Sequence, residues 1–94
     1  MKMIAKRLIK EDKVDEVKRI YEELVALTRN EEGCIGYKLY EDEKNPRLLA
    51  IMEEWQNTKA LDQHMLTEHF MRLVPMLNDL TEKKFELEKY NQLI

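Results

Sequence analysis

Cysteine, glycine, proline and tryptophan are all scarce in this 94-residue chain, which has one Cys, two Gly, two Pro and one Trp. One Cys cannot close an internal disulfide, so the expected compartment is the reducing cytoplasm. Gly33 and Gly36 are the only glycines, which leaves no Gly-rich phosphate loop and no nucleotide or flavin motif. Basic residues are not in excess: 16 Lys and Arg stand against 19 Asp and Glu, for a net charge of −3. Nucleic acid would call for a basic stripe, so neither nucleic acid nor an anionic membrane surface is an expected partner. The longest apolar run is Leu48 to Met52, far short of the roughly 20 residues a membrane span needs. The opening MKMIAKRLIKEDK is charged throughout, and no signal peptide is expected there.

The composition is otherwise that of a globular protein, 44% hydrophobic and 37% charged. One domain over residues 1–94 is the sensible expectation. So small a chain buries only a little over half of its unfolded surface, and association would add burial.

The periodicity predicts an order of elements. MIAKRLI (3–9) suits a first strand. Val14, Val17, Ile20/Tyr21, Leu24 and Leu27/Thr28 then recur at helical steps, with Asp12 a candidate N-cap and Gly33 a candidate left-handed stop. In CIGYKLYED, Ile35, Tyr37 and Leu39 alternate with Cys34, Gly36, Lys38 and Tyr40. EKNPR reads as a turn, and LLAIMEEW as a strand paired with the one before it. Asn57 or Thr58 can cap a short helix over Lys59 to Met65. Thr67 can cap a second helix with a Phe70–Leu73–Val74–Leu77–Leu80 stripe, which Pro75 should kink or break. KKFELEKYNQL alternates like a half-exposed strand. The order β-α-β-β-α-β is the ferredoxin-like plan of an α+β protein with a four-stranded antiparallel sheet. Helices on one face leave the other open, yet Leu48 to Met52 are apolar at both parities. A second copy of the chain is the economical cover, and a homodimer is expected.

The candidate site lies in MEEWQNTKALDQHMLTEHF (52–70), which holds the only Trp and both His. Period two places Leu49, Ile51, Glu53 and Trp55 on one strand face. A carboxylate there is either paired with a Lys or Arg of a neighbouring strand or set at a cavity rim, because an isolated buried charge is prohibitive. His64 follows Leu61 by one helical step and is either a general acid/base or a histidine hydrogen-bonded in a packed seam. A five-residue step sets His64 and His69 about 140° apart on a continuous helix. HMLTEH is not HExxH and no Cys cluster assists, so no metal is expected. Cys34 has no base adjacent in sequence and reads as a small buried residue. Met52, Met65, Met71 and Met76 either surround a pocket for a flat ligand or fill gaps in the core.

EEGCIGY followed by EEW…ALDQHMLTEHF resembles the antibiotic biosynthesis monooxygenase domain. Its members carry E-x-G-C-x-x-Y, then E-x-W at a strand end, then H-x-x-(S/T)-x-H-(F/M/Y). The matching residues are Glu31/Glu32, Gly33, Cys34 and Tyr37; Glu53 and Trp55; and His64, Thr67, His69 and Phe70. The element order matches over essentially the whole chain. The resemblance implies a dimeric α+β barrel, which would supply the missing cover. It also implies one of several activities: monooxygenation of a quinol or other dihydroxy-aromatic with O₂ and no cofactor, haem degradation, or isomerisation of a small phosphorylated molecule. The haem branch carries an Asn, a Trp and a His where this chain has Arg7, His64 and Val74, so haem degradation is not expected.

The chemistry so implied is cofactor-independent oxidation of a small aromatic substrate by O₂. His64 would serve as base with Glu53 orienting it, Trp55 would wall the ring, and Tyr37 would hydrogen-bond a substrate oxygen. Arg72 and Arg7 are the candidates to hold negative charge. The alternatives are an isomerase of the same fold and a non-catalytic dimer that binds an aromatic ligand.

Overall fold

A computed structural model describes residues 1–94. The elements are β1 (Lys2–Ile9), α1 (Val14–Thr28), β2 (Cys34–Glu41), β3 (Leu48–Trp55), α2 (Thr58–Met65), α3 (Glu68–Asp79), β4 (Thr81–Lys84) and β5 (Glu88–Tyr90). The sheet is antiparallel, ordered β2-β3-β1-β4, with β5 also pairing β1. No helix is long and apolar enough to cross a membrane.

The expected α+β, ferredoxin-like plan holds, with corrections that have local causes. The last strand is two short pieces, so the sheet has five strands rather than four. Residues 85–87 leave the ladder between β4 and β5, and Phe85 and Leu87 line an internal cavity instead. Asp12 does not cap α1. It occupies the left-handed region at φ 63°, and Lys13 stands at the N-cap with no side-chain bond. Ile35 does not share a face with Tyr37: a register shift between Cys34 and Gly36 turns it outward, 59% exposed. Helix α3 runs on through Pro75. Leu73 and Leu77, on either side of the proline, are both anchored in the core, and that packing offsets the one backbone hydrogen bond a proline removes.

Met3, Ile9, Leu49, Ile51 and Trp55 from the sheet meet Val17, Ile20, Leu24, Leu61, Leu73 and Leu77 from the helices. The opposite face presents Ile4, Leu8, Leu48, Ala50 and Met52, with Met52 exposed. The β2–β3 turn is held as its residues dictate. The Asp42 carboxylate accepts from the backbone N–H groups of Lys44 and Asn45, and the Asn45 side chain accepts from that of Arg47.

Candidate active site

Between the helices and the sheet lies a cavity of about 110 Å³. Arg7, Tyr37, Glu53 and His64 all contribute to its wall, together with Tyr21, Leu61, Phe70 and Phe85. A larger depression of about 600 Å³ lies on the outer side, between α1 and β2. It is open to solvent and gathers none of the candidate acid–base groups apart from the edge of Tyr21.

His64 reaches the cavity because of three short segments around it. The Asn57 side chain accepts from the Ala60 N–H at 2.9 Å and starts α2. Thr67 then ends one helix and begins the next: its hydroxyl donates to the His64 carbonyl at 2.7 Å and accepts from the Phe70 N–H at 3.2 Å. The third segment is the turn after α1. Gly33, at φ 83°, reverses the chain there and packs so tightly that a Cβ would lie 2.5 Å from that of Ala60. Only glycine takes this backbone without strain, and the turn sets Glu31 beside α2.

Glu31 is the residue that sequence reasoning passed over. Its Oε2 lies 2.8 Å from His64 Nδ1 and 2.6 Å from His69 Nε2. One carboxylate oxygen meeting two ring nitrogens accepts a hydrogen bond from each, which makes His64 the Nδ1–H tautomer and leaves its Nε2 as the free lone pair. The expectation that Glu53 orients His64 is therefore corrected, and so is the view of His69 as lying on another side. The 140° separation presumes one helix, whereas the break at Leu66–Thr67 swings His69 back onto Glu31. The one sequence signal for Glu31 is its place at the head of E-x-G-C.

The same three ligand atoms lie within 4.8 Å of one another, which is a spacing able to hold a metal ion. His64 and His69 thus converge on one point despite their five-residue spacing. Each of those atoms is also satisfied by the hydrogen bonds just described.

Glu53 has no cation partner. Its Oε1 accepts from Trp55 Nε1 at 2.8 Å, and the residue is 5% exposed. Burial, with a smaller push from the Glu31 charge, raises it to about 6 against the pull of that hydrogen bond. Burial lowers His64 and Glu31 partly restores it, so the imidazole is neutral near pH 7. Tyr37, opposite Glu53 on the neighbouring strand, is held well above the phenol range by burial and then by the Glu53 charge, so it remains a donor. The Trp55 ring lies 4.7 Å from that of His64 and backs it without lining the cavity. Its expected place against a substrate ring is corrected accordingly.

Arg72 lies outside this arrangement. It is on the outer side of α3, ion-paired with Glu23 at 2.6 Å and Glu68 at 2.7 Å. Arg7 points inward, 7% exposed, and donates to Asn78 Oδ1 at 2.6 Å and Thr81 Oγ1 at 3.2 Å. Of the methionines expected at a pocket, only Met65 lines the cavity; Met52, Met71 and Met76 are exposed. Cys34 is half-buried, and burial raises its thiol, with Glu31 and Glu53 adding to the rise.

Three helices on one face of an antiparallel sheet, enclosing a carboxylate-held histidine, define an α+β protein with an acid–base cavity. The sequence profile of the family described as antibiotic biosynthesis monooxygenase matches residues 1–75, and the chain belongs to that family. A crystal structure of an antibiotic biosynthesis monooxygenase superposes at TM-score 0.94 with 39% identity, covering 99% of this chain and 98% of that one. A conserved protein from Methanosarcina mazei Go1 superposes at TM-score 0.94 with 35% identity, over 98% and 91% of the two chains. The Synechocystis protein sll1783 is 35% identical over 82 residues, 87% of this chain. The chain spans 56% of that relative's length.

Proposed function

We propose that this protein is a cofactor-independent monooxygenase that oxidises a quinol or similar single-ring phenol with O₂. The observation that carries the reading is the Glu31–His64 pair, which fixes the tautomer of a neutral, buried imidazole and leaves Nε2 to act as base. His64 Nε2 takes the phenol proton. The phenolate passes one electron to O₂, the two radicals combine at a ring carbon, and loss of water leaves a carbonyl there. One oxygen atom enters the product and the other departs as water. The Tyr37 hydroxyl hydrogen-bonds the substrate oxygen, and the apolar walls exclude bulk water. A second copy of the chain covers the open sheet face, as the apolar Leu48, Ala50 and Met52 require.

A second reading is favoured by the opposed shifts of two groups in the same wall. Glu53, raised to about 6, and His64, lowered, form an acid and a base that could move a proton between two carbons of an enolisable substrate. Oxygen uptake separates the two. Protein dialysed against a chelator should consume O₂ with a panel of quinols above the autoxidation rate, and His64→Ala should lose about 100-fold or more. Product formed without O₂ favours the isomerase. A His64→Ala protein that keeps its activity but loses stability makes His64 a packing residue.

A further inference from the structure

Arg7 is a buried cation with no anion. Buried charges in proteins are ordinarily paired. Yet its hydrogen bonds run to the neutral side chains of Asn78 and Thr81, and it takes part in no ion pair. The Tyr21 hydroxyl, also in the cavity wall, is a third neutral neighbour of the guanidinium. The neighbours add no negative charge. Lys84, the cross-strand partner of Arg7, lines the same end without an ion pair of its own. Lys6 also lies there, and Glu88 neutralises it at 3.4 Å.

The only carboxylate in the cavity wall is Glu53, at the other end. Its strand register faces Met3, four residues along β1 from Arg7, which separates the two backbones by roughly 13 Å. The two ends of the cavity thus differ in chemistry, and Tyr21 stands in the wall as a neighbour of Arg7 that also feels the Glu53 charge. His64, Glu53 and Tyr37 form the acid–base end, and Arg7 with Lys84 forms a cationic end, with Leu24, Ile51 and Leu77 among the residues lining it.

We propose that the substrate is an acid: a single-ring phenol carrying a carboxylate, with the carboxylate seated on the Arg7 guanidinium and the phenol hydroxyl toward His64. A guanidinium can offer two parallel N–H donors to the two oxygens of a carboxylate. The bound acid supplies the missing counter-charge and sets the ring in one direction along the cavity. The inference rests on the reading of this cavity as the substrate site and serves the oxidase and isomerase readings alike.

The test compares hydroquinone with gentisate, the same ring bearing one carboxylate, by titration calorimetry alongside oxygen uptake. The wild-type protein should bind gentisate about tenfold more tightly or better. Arg7→Met should bring gentisate down to the level of hydroquinone measured with the same variant, whereas Arg7→Lys should keep part of the preference. If Arg7→Met does not fold, the Arg7 guanidinium resonance of the wild-type protein should shift with gentisate and stay in place with hydroquinone. Equal affinities in the wild type, no detectable gentisate binding, or a preference that survives Arg7→Met would each overturn the proposal. Arg7-dependent gentisate binding without O₂ uptake would leave the proposal standing and remove the monooxygenase. Hydroquinone oxidation with no preference for the acid would do the reverse.

Discussion

Glu31 Oε2 lies 2.8 Å from His64 Nδ1, joining the turn after the first helix to the second helix across 33 positions of sequence. The contact places a negative charge behind a buried imidazole and fixes which nitrogen carries the proton. Both the hydrogen bond and the charge of Glu31 raise His64, against a larger lowering by burial.

Glu31→Gln removes the charge and leaves only a weaker, neutral acceptor, so His64 should fall further below the ordinary histidine range. The sign follows directly. The active form is the neutral base, activity is lost as pH drops through the His64 pKa, and the acid limb of kcat/KM should move to lower pH in the variant. Turnover should fall about tenfold or more, because a weaker and less oriented base takes the proton less readily. A pH–rate profile from pH 4 to 8 checks both effects. An unmoved acid limb would show that Glu31 does not act on the base.

Much of this was legible in the sequence, for reasons that residues illustrate. Val14, Val17, Leu24 and the capping Asn57 and Thr67 act over a few positions, and their elements stand where periodicity put them. Tyr37, Glu53 and His64 carry polar groups on apolar faces, and the cavity gathers all three. Glu31 was harder to rank. It lies in a turn with no periodicity, beside the equally acidic Glu32, and its value comes from a tertiary approach set by Gly33. The pairing of Arg72 with Glu23, 49 positions away, could not be read from local pattern either.

His69→Leu should separate the shared carboxylate from the catalytic pair. The substitution removes one of two hydrogen bonds to Glu31 and leaves the one to His64. Stability should drop by about 1 kcal/mol. Turnover should change less than in Glu31→Gln. Denaturant titration and steady-state kinetics on the same samples would check this, and a loss equal to that of His64→Ala would place His69 in the proton path.

Glu53 should make the protein less stable at neutral pH than it is in mild acid. Its folded-state pKa is raised from 4.5 to about 6, so the native state binds more protons than the unfolded one within that window. Stability therefore falls as pH rises from 4.5 to about 6 and levels off above. Glu53→Gln keeps an acceptor for Trp55 Nε1 without the charge, and should stabilise the protein at pH 7 by up to about 2 kcal/mol. Urea titrations of both proteins at pH 4.5 and 7 test this. A gain that persists undiminished at pH 4.5 would mean that charge burial is not its source.

If a second copy covers the open sheet face, a charge placed at Met52 should weaken the assembly. Met52 is exposed and pairs with Ile4 on one side and Lys38 on the other, in the middle of that face. Met52→Glu should move the protein toward monomer in sedimentation velocity while leaving far-UV circular dichroism unchanged. A wild-type protein that is already monomeric at all concentrations would remove the dimer.

Gly33→Ala tests whether the turn holds Glu31 in place. Two separate penalties apply. An L side chain at φ 83° is strained, and the new Cβ would lie 2.5 Å from that of Ala60. Together they should destabilise the protein by about 2 kcal/mol or more, with activity falling as the turn shifts Glu31 away from His64. Ala60→Gly removes the partner in the clash but leaves the backbone strain, at a cost of about 1 kcal/mol within the helix. The double variant should therefore be more stable than the sum of the two single effects, with a coupling of about 1 kcal/mol. Denaturant titration of the four proteins measures that coupling directly. Strict additivity would mean the backbone, and not the contact with Ala60, is what demands glycine at this turn.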